Sequence, residues 1–129
     1  MGNNKFLIDT NIFLGFYLIN DTNHEISVSI LTEASRSEVI IPYCVIQEVS
    51  TLLTYRLGKE KANEFLMDIS NVSNISLISD ELFNEIDFFK TLNKKISFAD
   101  SSQLYLARKY KAALVTLDKD LEKLYKQYQ

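Results

Sequence analysis

The chain has 129 residues, 47% of them hydrophobic and 24% charged, with a formal net charge of −3. That length suits one domain, 1–129, built on one core, and the mixed composition suits a globular chain. No apolar run approaches the roughly 18 residues of a membrane span, and the N-terminus lacks a basic stretch followed by a long apolar one, so a cytoplasmic chain without a membrane partner is expected.

Three further features exclude whole classes of chemistry. Met1-Gly2 is followed by Phe6 where a myristoylation signal wants Ser or Thr. Cys44 is the only cysteine, so no intramolecular disulfide can form, and its apolar surroundings read as a buried structural thiol. His24 is the only histidine, and its neighbours Asn20-Asp21-Thr22-Asn23 read as a polar surface loop. Chemistry that needs paired histidines is excluded.

In chain order, Lys5-Phe6-Leu7-Ile8 is a short apolar run ending in Asp9-Thr10-Asn11, followed at once by the helical spacing Ile12, Phe13, Phe16, Tyr17. This reads as a buried parallel strand feeding a helix. Asn23 to Arg36 reads as helix, and Glu38-Val39-Ile40-Ile41 as a second strand stopped by Pro42. Pro42 fits the first turn of the next helix, whose apolar positions Val45, Ile46, Val49, Leu52 and Leu53 run to a stop at Gly58. Lys59 to Ile69 repeats the helical period, Asn74 to Ile78 reads as a strand, and Ser79 or Asp80 could cap the helix of Leu82, Phe83, Ile86 and Phe89. After Asn93-Lys94-Lys95 a helix starts at Ser97 and runs to about Tyr110. Ala113-Leu114-Val115-Thr116 is the last strand, and Asp118 to Tyr128 the last helix. Alternating strands and helices imply an α/β fold of three α/β/α layers around a parallel sheet of four or five strands.

Four acids stand out by position. Asp9 and Asp118 each follow a buried strand, at the sheet edge where open α/β folds bind ligands. Glu48 sits among Val45, Val49 and Leu52, on or beside the face its helix should bury, and Asp100 shares a face with Leu104 and Ala107. Each also has an ordinary reading: Asp9 and Asp118 as helix caps, and Ser97 with Asp100 as a capping box. Asp120 and Glu122 compete for the fourth position. Taken together, crowded carboxylates are stable only with a cation or with added protons, and oxygen donors suit Mg²⁺ or Mn²⁺. No His/Cys set suits zinc, no Gly-rich phosphate loop appears, and no Ser/His/Asp arrangement can be built around His24. Phosphodiester hydrolysis is the chemistry this leaves.

Charge is uneven along the chain. Residues 1–88 carry 5 Lys/Arg against 13 Asp/Glu, and residues 89–129 carry 9 against 4. The basic third could attract a phosphate backbone locally, or consist simply of solvated lysines. Lys94, Lys95 and Lys119 are candidate phosphate contacts. Phe13, Phe16, Phe83, Phe88 and Phe89 read as core or interface, and any exposed among them would suit a homodimer or a partner helix laid in a groove.

The stretches Leu7-Ile8-Asp9-Thr10-Asn11, the helical Glu48, Ser97-Phe98-Ala99-Asp100 and Val115-Thr116-Leu117-Asp118 resemble the four acidic signatures of PIN-domain nucleases. The resemblance covers nearly the whole chain and is strongest to the VapC-type ribonuclease toxins of toxin–antitoxin pairs. It implies a PIN-like fold and a metal-dependent endoribonuclease, acting on RNA and paired with an antitoxin protein, with a homodimer expected. Asp9, Glu48, Asp100 and Asp118 would be the catalytic residues and would hold one or two Mg²⁺ or Mn²⁺ ions, leaving 5′-phosphate and 3′-hydroxyl ends. Thr10, Asn11 and Thr116 could orient these carboxylates or ion-bound waters, or simply hydrogen-bond the strand ends. Three rival readings stand beside it. A processing nuclease that is not a toxin fits almost as well. A haloacid-dehalogenase-type phosphatase would need Asp-x-Asp where this chain has Asp9-Thr10-Asn11, and a non-catalytic module could keep the acids as a metal- or partner-binding site.

Overall fold

In the computed structural model, which describes residues 5–128, four short parallel strands lie side by side. They are β1 (Lys5–Ile8), β2 (Glu38–Pro42), β3 (Ile75–Ile78) and β4 (Ala113–Val115), in the order β3-β2-β1-β4. The chain therefore moves one way from β1 through β2 to β3, then returns to place β4 on the other side of β1. Crossovers of constant hand put their helices on one face while the chain moves in one direction and on the other face when it reverses. α1 (Thr10–Tyr17), α2 (His24–Ala34), α3 (Tyr43–Leu57) and α4 (Lys59–Ser70) precede the reversal, and α5 (Leu82–Thr91), α6 (Phe98–Lys109) and α7 (Lys119–Gln127) follow it.

Strand alternation divides the apolar residues between the two faces. Leu7 pairs in register with Ile40 on β2 and Leu114 on β4, and all three pack with Leu104, Leu106, Ala107 and Leu121 under α6 and α7. Ile8, Val39 and Ile41 point the other way, into a larger core with Ile12, Val45, Val49, Leu53 and Phe65. At its centre the buried Phe65 ring meets Phe13 at 5.5 Å and Tyr17 at 5.8 Å, both edge to face. With both faces covered, the inner strands read as continuous apolar runs.

The helix boundaries follow the sequence with small shifts. Pro42 ends β2 and is the N-cap of α3, one position before the first turn expected for it. Its missing N–H costs nothing there. Gly58 closes α3 with its N–H on the Leu53 and Thr54 carbonyls and a φ of 103°, a conformation that only glycine adopts without strain. Neither Ser79 nor Asp80 caps α5. The residue before that helix is the buried Glu81, which accepts hydrogen bonds from Asn84 and Tyr105 and pairs with Lys109, tying α5 to α6. Lys109 and these donors hold the Glu81 carboxyl below the usual range.

One side-chain reading changes and another is narrowed. His24 is not a loop residue on the surface. It opens α2, half-buried, with Nδ1 2.8 Å from the Gly15 carbonyl oxygen of α1. Of the two places the sequence allowed Glu48, on or beside the buried face of α3, it takes the second: Val45 and Val49 fill that face, and Glu48 stands exposed beside it. Cys44 is half-buried and structural, its Sγ 3.8 Å from the Ala99 carbonyl oxygen, with burial as the main cause pushing the thiol pKa up to about 12. Among the phenylalanines, Phe13 is core and Phe88 packs on Tyr105 and Tyr128. Phe16 and Phe89 are partly exposed, and Phe83 is 81% exposed. No helix among the described residues is long and apolar enough to cross a membrane.

Candidate active site

The reversal of chain direction leaves a crevice where β1 and β4 end together, the position at which open parallel sheets take ligands. Asp9 lies there, 6% exposed, as the N-cap of α1. Both of its carboxylate oxygens are held. Oδ1 accepts from the Thr10 N–H at 2.7 Å and from the Gln103 Nε2 at 2.9 Å, and Oδ2 accepts from the Thr116 hydroxyl at 2.6 Å. An anion so deeply placed needs such donors, because an unpaired buried charge costs several kcal/mol.

Around Asp9 the turns at the two strand ends are tied together. Asp118 N–H donates to Thr116 Oγ1 at 3.0 Å, and Leu117 N–H donates to Asn11 Oδ1 at 3.2 Å. Thr10 turns its hydroxyl the other way, to Glu48 Oε1 at 2.7 Å, and so fixes the exposed carboxylate of α3 against the start of α1. Asp118 accepts from the Asp120 and Leu121 N–H groups through Oδ1 and so caps α7. Asp120 and Glu122 are exposed on α7, and it is Asp118 that the hydrogen bonds join to the site.

Asp100, half-buried in the first turn of α6, completes the set. Ser97 caps that helix by accepting from the Asp100 N–H at 3.0 Å. The Asp100 carboxyl is held above the usual carboxylate range, first by burial and then by the negative charges of Asp9, Asp118 and Glu48, against an opposing hydrogen bond from Ser97. The charges of the other three acids anticipated from the sequence are thus felt at Asp100. Beside them opens a groove of about 660 Å³ lined by Cys44, Gln47, Glu48, Ser50, Thr51, Leu52 and Ala99. Lys94, Lys95 and Lys119 are exposed.

The donor set is four carboxylates with no soft ligand, which matches a hard divalent cation such as Mg²⁺ or Mn²⁺ and not zinc. Among the described residues, no three acidic, histidine or cysteine side chains converge on one point as a finished ligand cage. The ordinary readings are seen directly: Asp9 caps α1, Asp118 caps α7, and Ser97 caps α6 through the Asp100 N–H.

Gln103 was not anticipated. It is 2% exposed and lies three residues after Asp100, on the stripe that also carries Leu104 and Ala107. A polar residue at a buried helical position was the available signal.

A parallel sheet covered by helices on both faces, with acids near the crevice where the strand order reverses, places the chain among the open-sheet α/β proteins. The chain belongs to the PIN domain family, which it matches over residues 6–127. It is 32% identical over 120 residues to a VapC ribonuclease of Archaeoglobus fulgidus, covering 87% of this chain and 76% of that protein. Its fold is similar to the crystal structure of Mycobacterium tuberculosis VapC20, a sarcin-ricin loop cleaving toxin, with a TM-score of 0.74 at 19% identity over 92% of this chain and 94% of that one. It is also similar to FitAcB from Neisseria gonorrhoeae, with a TM-score of 0.62 at 17% identity over 94% and 93% of the two chains.

Proposed function

We propose that the chain, as one PIN domain over 1–129, is a Mg²⁺- or Mn²⁺-dependent endoribonuclease that hydrolyses RNA phosphodiester bonds and serves as the toxin of a type II toxin–antitoxin pair. The observation that carries this reading is geometric: Asp9, Glu48, Asp100 and Asp118 gather where β1 and β4 end, Thr10 tying Glu48 to the start of α1 and Thr116 tying Asp9 to the turn of Asp118. Such crowding is relieved by a divalent cation. The kinship to a VapC ribonuclease supports RNA as the substrate.

In this reading Asp9, Glu48, Asp100 and Asp118 hold the ion, directly or through its waters. A divalent ion held there would lower the pKa of a bound water and offset charge on the phosphate. The rest is the work of the chain. Thr116 and Gln103 orient Asp9, Thr10 orients Glu48, and Asn11 secures the turn that carries Asp118. Lys94, Lys95 and Lys119 supply phosphate contacts from the basic third of the chain. The protein acts in the cytoplasm as a homodimer. A separate apolar groove of about 360 Å³, lined by Phe13, Phe16, Tyr17, Leu31 and Val72 among others, suits an apolar segment of the antitoxin.

Incubating a mixed RNA pool with the pure protein in EDTA, Mg²⁺ or Mn²⁺, beside Asp9→Asn and Asp100→Asn, tests this directly. Cleavage is expected only with metal and only in the wild type, giving 5′-phosphate ends. Metal-independent cleavage, or equal cleavage by both folded variants, would sink the reading.

A further inference from the structure

α5 carries more apolar surface than one copy of the chain covers. On one side Phe88 and Leu92 join the core under α6, with the Phe88 ring 5.7 Å from Tyr105. On another side Leu82, Phe83, Ile86 and Phe89 recur at helical spacing as a second stripe. That stripe stays open: no residue of α5 is fully buried, and Leu82 and Phe83 are 53% and 81% exposed. It continues onto α6, where the partly exposed Phe98 meets Phe89 edge to face at 5.5 Å. A surface helix ordinarily turns one apolar face to the core and a polar one to water. A contiguous apolar patch rimmed by charge marks an interaction surface.

The charges around the stripe identify its occupant. Between residues 80 and 91 the acids Asp80, Glu81, Glu85 and Asp87 stand against a single base, Lys90, so a phosphate backbone is repelled along this helix. Asp87 and Lys90 are exposed on the flank beside Phe83, yet neither has an ion-pair partner among the described residues. Opposite charges left unpaired on one flank of an apolar stripe are self-complementary. When two copies meet antiparallel about a two-fold axis, that flank meets itself, and Asp87 of each copy faces Lys90 of the other. Resting on the homodimer of the proposed function, we infer that α5 and Phe98 form the face on which a second copy of this chain docks. The stripe is the dry centre of that contact, and Asp87 and Lys90 belong to its polar rim. The contact ends at Phe98, two residues before Asp100 on α6, and uses none of the four acids.

Sedimentation velocity of the full chain in EDTA, across a dilution series, tests the face. The wild type is expected to be a dimer that dissociates on dilution. Phe83→Glu, at a position already exposed, is expected to keep the wild-type circular dichroism spectrum and to weaken the dimer about 10-fold or more. Asp87→Lys alone and Lys90→Asp alone each set like charges across the axis and are expected to weaken it several-fold. The double variant exchanges the two charges on both copies and is expected to recover most of that loss. Should Phe83→Glu misfold, the charge exchange, confined to exposed side chains, decides alone. A wild-type dimer indifferent to these variants overturns the face and leaves the homodimer standing. A wild-type monomer overturns both, and neither result touches the metal-dependent cleavage tested above. A Phe83→Glu protein that stays dimeric but loses affinity for a labelled single-stranded RNA gives the stripe to the substrate, which also overturns the inference.

Discussion

The Thr116 hydroxyl donates to Asp9 Oδ2 at 2.6 Å and accepts the Asp118 N–H at 3.0 Å, so one side chain at the end of β4 orients two of the acids. Removing it while keeping its shape isolates that role. Thr116→Val is expected to fold normally and to lose about 10- to 100-fold in RNA cleavage, whereas Thr116→Ser, which keeps the hydroxyl, stays within a few-fold of wild type. Equal activity in the Val and wild-type proteins would show that Asp9 is held well enough by Thr10 and Gln103.

Thr10 does for Glu48 what Thr116 does for Asp9, but Glu48 is exposed on α3 and has more freedom to lose. Glu48→Gln keeps an oxygen able to accept from Thr10 and removes only the charge. It is therefore expected to cost more cleavage than Thr10→Val, which frees the carboxylate but leaves it in place at about a 10-fold cost. Steady-state rates in Mn²⁺ rank the two. The reverse order would mean that Glu48 acts through its hydrogen bond and not through its charge.

At the other end of α1 the packing leaves no room. A Cβ on Gly15 would stand 2.2 Å from Ser27 Oγ, 3.0 Å from Ser27 Cβ and 3.1 Å from the Asn23 carbonyl oxygen. Gly15→Ala is expected to destabilise by about 1–3 kcal/mol through overpacking. Ser27→Ala removes a buried hydroxyl that has no partner and is expected to be neutral or slightly stabilising. Denaturant melts of Gly15→Ala with and without Ser27→Gly should show coupling, the double variant recovering part of the loss. Additive effects would place the strain on the Asn23 carbonyl.

Much of this was legible in the sequence because each acid broke a pattern. Asp9 and Asp118 end apolar strand runs, and Asp100 interrupts the stripe of Leu104 and Ala107. For Glu48 helical spacing left two places open, on the buried face or beside it, and the side chain stands just beyond the edge. A helix period resolves a face only to within a residue or so. His24 was misread because its role is a contact with Gly15 on a different helix, and nothing in its polar neighbours records that. Gln103 and Glu81 were missed for the same reason: their partners, Asp9 and Lys109, lie 94 and 28 residues away, a pairing that only the fold creates.

Asp100 links the chemistry of the site to the stability of the protein. Burial and the charges of Asp9, Asp118 and Glu48 raise its pKa in the folded state, so the folded chain holds this proton more tightly than the unfolded one. Stability then falls as pH rises from the ordinary Asp range through the raised value, and at neutral pH the metal-free protein carries the full penalty. Asp100→Asn removes it. In EDTA near neutral pH the variant is expected to melt above the wild type, by on the order of 1 kcal/mol or less because the half-open site is screened by solvent. The difference should shrink as pH is lowered toward the carboxylate range. Mn²⁺ at about 100 times its dissociation constant should add about 2.7 kcal/mol to the wild type and much less to the variant. Thermal melts across pH, with EDTA and with Mn²⁺, check both halves. A variant no more stable than wild type in EDTA would mean that the four acids repel one another too weakly to require an ion.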